Sequence, residues 1–161
     1  MPVRYTGDDI FETGADAITN PVNCVGVSGA GLALQFARRY PENDRLYRRA
    51  CAEGRIRPGA GIITETGEQQ PRHIINFPTK RHWREPSRIE DIELGLRNLH
   101  RQLLRRNLTS VALPALGAGL GGLRWHDVRR LIENEFGTEP NIETTVCIPQ
   151  SRKGGWIWPT L

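Results

Sequence analysis

The chain has 161 residues, 38% hydrophobic and 25% charged, a size and composition that fit one soluble globular domain and exclude disordered or fibrous classes. No apolar run approaches the roughly 18 residues that a membrane-crossing helix needs, and the N-terminus lacks an apolar signal core. Three cysteines with no Cys-x-x-Cys pair support neither a disulfide framework nor a zinc site, which points to a reducing cytoplasm.

The net charge is +4, from 22 Lys and Arg against 18 Asp and Glu, and only Lys80 and Lys153 are lysines. That balance fits either the residue usage of a GC-rich genome or an anionic partner such as a nucleotide or DNA. Charge alone does not choose.

In chain order, residues 3–5 and 17–19 read as short strands. A glycine cluster, Gly26-Val27-Ser28-Gly29-Ala30-Gly31, follows the second. A helix is expected from about residue 31 to 39, with Leu32, Leu34 and Phe36 available for burial. Another enters at Pro41 and stops at Gly54. Residues 61–64 and 73–77 are β-branched runs bounded by Gly and Pro, hence strands.

The clearest helix begins at Ser87, where Ser87 and Glu90 form a capping-box pattern. Ile89, Ile92, Leu96, Leu99 and Leu103 follow at spacings of three and four, one apolar stripe, and Asn107 is its expected end. A compact strand at 110–113 runs into a second cluster, Gly117-Ala118-Gly119-Leu120-Gly121-Gly122. A helix at 126–136, stopped by Gly137, and a strand at 144–148 complete the series. No repeat or Pro/Ser-rich linker divides the chain. The expectation is a single domain over residues 1–161, with a core at about 3–148 and a short C-terminal tail. Alternating elements predict an α/β domain with helices on both faces of the sheet. Ligands then bind outside the carboxyl ends of the strands.

Both glycine clusters directly follow strands. They are either tight turns or two arrays of backbone N–H groups suited to a diphosphate. Gly117-x-Gly119-x-x-Gly122 also matches a dinucleotide fingerprint, but too little chain follows it for a dinucleotide-binding sheet, and no P-loop motif occurs. Asn20-Pro21-Val22-Asn23-Cys24 falls between the second strand and the first cluster. Its asparagines suit ribose hydroxyls, or simply a loop. Asp9, after the first strand, can accept from an adenine amino group or serve structure. In Phe77-Pro78-Thr79-Lys80-Arg81-His82-Trp83-Arg84 a lone lysine stands where the chain otherwise prefers arginine. An amine can act as a nucleophile and a guanidinium cannot. The alternative is a solvated basic loop. Cys24 is a weaker nucleophile candidate, with no nearby His or Asp implied.

Asp9-Ile10, Asn20-Pro21-Val22-Asn23-Cys24-Val25-Gly26, the helix start Gly31-Leu32-Ala33-Leu34-Gln35-Phe36, the segment 76–84 and the run from Leu113 to Leu123 together resemble the macrodomain family. The likeness is strongest to the branch of the terminal ADP-ribose protein glycohydrolase and the DarG antitoxin macrodomain. The resemblance implies a three-layer α/β/α sandwich with a mixed central sheet. It assigns adenine to Asp9 and Ile10. It assigns ADP-ribose contacts to Asn20, Asn23, Val25, Gly26, Gly29, Gly31 and Leu32 around the first loop, with Asn23 near the anomeric carbon of the distal ribose. It adds Thr79 beside Lys80, then Pro114, Leu116, Gly117, Ala118, Gly119, Leu120, Gly121, Gly122 and Leu123 along the second loop. Lys80 matches the catalytic lysine of that branch, which attacks the anomeric carbon and forms a transient lysyl adduct.

Two departures follow. The animal enzymes pair the lysine with an aspartate where this chain has Gly121, as DarG-type proteins do, so the second acid/base is unassigned. Ala30 stands where DarG-type proteins often carry a lysine. A full antitoxin also has a further domain, for which a chain ending at Leu161 leaves no room. The implied function is a hydrolase that removes ADP-ribose from acidic protein side chains or from thymidine in DNA, without metal or other cofactor. It implies a monomer with no membrane association and no stable protein partner. Two alternatives stay open: a non-catalytic reader of ADP-ribose, if Lys80 faces solvent, or a hydrolase of a small ADP-ribose derivative.

Overall fold

The computed structural model describes residues 2–149, so the tail expected beyond 148 lies, from residue 150 on, outside the described residues. The elements are β1 (Arg4–Thr6), a 3-10 turn (Ile10–Glu12), β2 (Ala17–Asn23), α1 (Gly31–Arg39), α2 (Pro41–Ala52), β3 (Ile62–Glu65), β4 (His73–Lys80), α3 (Ile89–Arg105), β5 (Ser110–Pro114), α4 (Trp125–Phe136) and β6 (Glu143–Cys147). One six-stranded sheet runs β1-β6-β5-β2-β4-β3. All neighbours pair parallel except the edge strand β3, which is antiparallel to β4. The sheet is mixed, as expected. Among the described residues no helix is long and apolar enough to cross a membrane.

Strand alternation divides the side chains between two helical layers. On one face Ile92, Leu96, Leu99 and Leu103 of α3 join Val128, Ile132 and Phe136 of α4 over Ile75, Phe77, Val111, Leu113 and Val146. The stripe expected for α3 is therefore its buried face. Gly95 lets α3 lie directly on Phe77, because a Cβ there would come within 2.9 Å of the ring edge. On the other face Phe36 of α1 meets Ile18, Ile74 and Ala112. Tyr47 and Ala50 of α2 cover Val22.

The order of connections opens the cleft. From β2 the chain passes through α1, α2 and β3 to β4 on one side. From β5 it passes through α4 to β6 on the other. Loops leaving the carboxyl ends of β2 and β5 thus turn in opposite directions, the switch point at which open α/β sheets bind ligands. The pairing of β2 with β5 covers only Ala17 and Ile18, and beyond it β2 keeps a single neighbour, β4.

That parting corrects one expectation. Asn20 to Asn23, read as loop, belong to β2, and Pro21 is tolerated there because it lies past the last β5 partner and interrupts no ladder on that side. β4 likewise runs on to Lys80, with a bulge that pairs Val22 with Pro78 but Asn23 with Lys80. A second correction concerns Ser87. It does not cap α3: Arg88 holds the N-cap position without a side-chain bond. The Ser87 N–H donates instead to the Gly121 carbonyl at 2.9 Å, and its buried hydroxyl has no hydrogen-bond partner among the described residues. Asn107 does close the helix, in the left-handed region at φ 54°. There the Leu108 N–H reaches back to the Leu103 carbonyl at 3.0 Å.

Candidate active site

A cleft of about 910 Å³ opens across the carboxyl ends of the parallel strands. Asp9 and Ile10 line it after β1, and Asn23 at the end of β2. Gly29, Gly31 and Leu32 come from the first loop and the first turn of α1. Thr79 and Lys80 end β4. Pro114, Gly117, Gly119, Leu120 and Gly121 form the second loop wall. Four strand intervals separate β1 from β4, so at about 4.8 Å each the Asp9 and Lys80 ends stand roughly 19 Å apart. A ligand that reaches both ends must be long and extended.

Several expected contacts face elsewhere. Asn20 is buried inside β2, where its amide donates to the Asn76 side chain at 3.2 Å. Asn76 in turn exchanges bonds with Asn43, and Thr64 donates to Asn43, a buried polar knot that ties α2 to the sheet. Val25 and Gly26 lie off the cleft wall, and a Cβ on Gly26 would meet Arg48 and Cys51 of α2. Leu116 and Ala118 are core residues on the α3 face, and Leu123 packs against that cluster. Gly122 is exposed and does not line the cleft.

Asn23 has a role that its residue type does not reveal. Its side-chain oxygen accepts from the backbone N–H groups of Val25, Gly26 and Val27 at 3.1, 3.1 and 3.3 Å. Its amide nitrogen donates to the Val27 carbonyl at 2.8 Å. The Tyr47 hydroxyl donates between the Asn23 backbone and side-chain oxygens, at 2.8 and 2.7 Å. Asn23 is thus the clamp of the first loop, with one amide hydrogen left for the cleft. Ser28 adds a second anchor by donating to Asp44 of α2 at 2.8 Å, and Arg48 holds Asp44 from the other side. The loop is preorganised from below.

The second loop is held as firmly. Gly117 needs its positive φ of 73°, and its carbonyl accepts from Leu123 N–H at 2.9 Å. Gly121 is a close-approach glycine: a Cβ there would strike the Ser87 hydroxyl and come within 2.5 Å of the Gly117 carbonyl. The aspartate of the animal enzymes has no space at this position. Leu120 is 75% exposed and reaches to 3.3 Å of where a Cβ on Gly31 would stand, so the two loops meet over the cleft.

Lys80 is half-buried on the wall, and its amine has no hydrogen-bond or ion-pair partner among the described residues. The next residue turns away: the Arg81 guanidinium grips buried Asp91 with two bonds of 3.0 and 3.1 Å. Its charge is compensated there. At the far end one Asp9 oxygen caps the 3-10 turn by accepting from Phe11 N–H at 3.0 Å, which leaves the other oxygen to the cleft. Burial pushes the Cys24 thiol up to about 11 and the Cys147 thiol up to about 12. Both are protonated at neutral pH, so Cys24 is no thiolate nucleophile. Among the described residues no group of three or more His, Cys, Asp or Glu is placed to hold a metal ion.

Sequence reasoning missed part of the wall. Cys147, Ile148 and Pro149 line it beside Asp8 and Asp9 because β6 pairs in parallel with β1. Parallel order at the chain's end was the signal that could have found them. Trp83, inside the segment singled out for Lys80, also lines the cleft, 46% exposed.

The sequence matches the Macro domain family over residues 19–132. A Mycobacterium tuberculosis protein named DNA ADP-ribosyl glycohydrolase is 43% identical over 148 residues, 91% of this chain; the chain spans only 42% of that relative's length. The solved macrodomain of Mycobacterium tuberculosis DarG superposes with a TM-score of 0.88 at 43% identity, covering 92% of this chain and 98% of the other. Thermosipho africanus DarTG, solved in complex with ADP-ribose, gives a TM-score of 0.84 at 30% identity, covering 92% of this chain and 42% of the other.

Proposed function

The chain belongs to the macrodomain family, and from that premise we propose that it binds ADP-ribose along the cleft and hydrolyses the bond joining ADP-ribose to a base in DNA. In this reading the adenine lies by Asp9 and Ile10. The diphosphate rests on the N–H groups of the two glycine loops, and the distal ribose meets Asn23, Thr79 and Lys80. The observation that carries the enzyme claim is Lys80, an amine with no partner among the described residues, on the wall beside Asn23 at the end opposite Asp9.

The chemistry follows from an amine. As a neutral nucleophile, Lys80 Nζ forms a bond to the anomeric carbon while the bond from that carbon to the acceptor breaks, and the departing base takes a proton. Opening of the sugar ring yields a Schiff base. Water adds to it, releases ADP-ribose and restores the amine. An arginine could supply charge at this position but not that bond. Monomeric action in the cytoplasm, without a stable protein partner, belongs to the same proposal.

A release assay on an ADP-ribosylated oligonucleotide, run beside a glutamate-modified protein, tests it. Lys80→Ala is expected to lose about 10²-fold or more in kcat while keeping affinity for free ADP-ribose within a few-fold, because the amine acts only as the bond breaks. Lys80→Arg is expected to be nearly as damaging. Full hydrolysis by Lys80→Ala would refute the covalent route, and release from protein but not from the oligonucleotide would refute the acceptor.

A further inference from the structure

The segment after Lys80 is built unlike the rest of the wall. His82, Trp83, Arg84 and Glu85 form a turn closed by Glu85 N–H to the His82 carbonyl at 3.1 Å, and Arg84 N–H also donates to His82 Nδ1 at 3.1 Å. The turn holds Trp83 out at the mouth of the cleft, 46% exposed. The His82 ring stacks against it at 5.3 Å with an interplanar angle of 30°, and the Arg84 guanidinium lies over the indole at 4.5 Å. Arg84 and Arg88 have no ion-pair partner among the described residues, whereas Arg81 is taken by Asp91. An exposed indole is an expense that neither the core nor the diphosphate site needs.

From this we infer that Trp83, with His82 and Arg84, is the acceptor subsite: a stacking platform for the base that leaves, with Arg84 for the neighbouring backbone phosphate. The inference rests on the reading of Lys80 as the reacting end and adds what stands beyond it. Trp83 follows Lys80 by three residues and shares its wall, so a group bonded to the distal ribose emerges against it. A planar base has a π-face for the indole, and a carboxylate acceptor has none. Stacking of a base on the indole is stronger than an exposed cation–π contact. The base therefore takes the place of the guanidinium, which is freed to meet a phosphate. The platform thus favours single-stranded nucleic acid over an acidic protein side chain.

Binding measured in a Lys80→Ala background, where substrate survives, tests the subsite without requiring turnover. The quantity is the ratio of affinities for an ADP-ribosylated single-stranded oligonucleotide and for free ADP-ribose. Removal of Trp83 (Trp83→Ala) is expected to cut that ratio by about 5- to 150-fold, its effect on free ADP-ribose being far smaller than its effect on the oligonucleotide, with Trp83→Phe restoring most of the ratio. Arg84→Ala is expected to lower the salt dependence of oligonucleotide binding by about one phosphate contact. A ratio unmoved by Trp83→Ala overturns the inference. So does an equal loss for free ADP-ribose, or an equal Trp83-dependent gain with a glutamate-modified protein. If the unmutated chain releases nothing from the oligonucleotide while the ratio still falls with Trp83→Ala, the hydrolase reading fails and the subsite stands.

Discussion

Replacing Asn23 with alanine tests whether the first loop is preorganised from beneath. The change removes three backbone N–H bonds of 3.1, 3.1 and 3.3 Å and one donated bond of 2.8 Å. Tyr47 loses its 2.7 Å branch to the side-chain oxygen but is not orphaned, because the Asn23 carbonyl remains 2.8 Å from its hydroxyl. At about 1 kcal/mol net per bond the four lost bonds come to ~4 kcal/mol, and exposure of Val25 and Val27 lets water replace part of them, leaving about 2–3 kcal/mol. In a chain of this length that is a fall in Tm of roughly 4–12 °C. The freed loop must be ordered again when ligand binds, so ADP-ribose affinity is expected to fall about tenfold or more. Asn23→Asp keeps the acceptor for the three N–H groups but sets an oxygen against the Val27 carbonyl, and should fall between. Thermal melts and calorimetry with ADP-ribose read both effects. A Tm within about 2 °C of the parent, with binding still weakened, would refute the clamp and leave Asn23 as a ligand contact alone.

The remaining predictions concern the second loop and the helix pair beneath the sheet. Gly121→Ala forces a Cβ against Ser87 and the Gly117 carbonyl and is expected to cost about 1–3 kcal/mol with loss of ADP-ribose binding; a variant that melts and binds like the parent would show the loop has room to spare. His100 of α3 meets Glu135 of α4 at 2.9 Å and Glu139, just beyond the end of α4, at 2.8 Å. Burial opposes its charge, but the two carboxylates outweigh that and hold its pKa above the usual value. Its contribution is therefore fully present below pH ~6.5 and lost as pH rises through the folded-state value. The stability gap between the parent and His100→Gln, from melts at pH 5.5 to 8.5, should narrow with rising pH, and a widening gap would reverse the assignment.

Local chemistry made much of this protein legible in its sequence. The α3 stripe needs only a repeat of three and four residues, Asn107 only tolerance of a left-handed backbone, and the two glycine runs only their place after buried strands. Lys80 stood out because amine and guanidinium differ in chemistry whatever the fold. Residues that serve a distant partner were misread. Ser87 looks like a cap in its own segment, yet its N–H goes to Gly121, 34 positions on. Pro21 looks like a strand breaker until the parting of β2 from β5 leaves that side of it unpaired. Asn23 offers the same donors and acceptors to a ribose as to a loop, and only the tertiary placement of Tyr47 and the Val25–Val27 backbone decides which. The wall at Cys147 to Pro149 exists because β6 lies between β1 and β5. Sequence determines what each stretch can form by itself. Strand order and close approach, which depend on residues far along the chain, determine which side chains share the cleft.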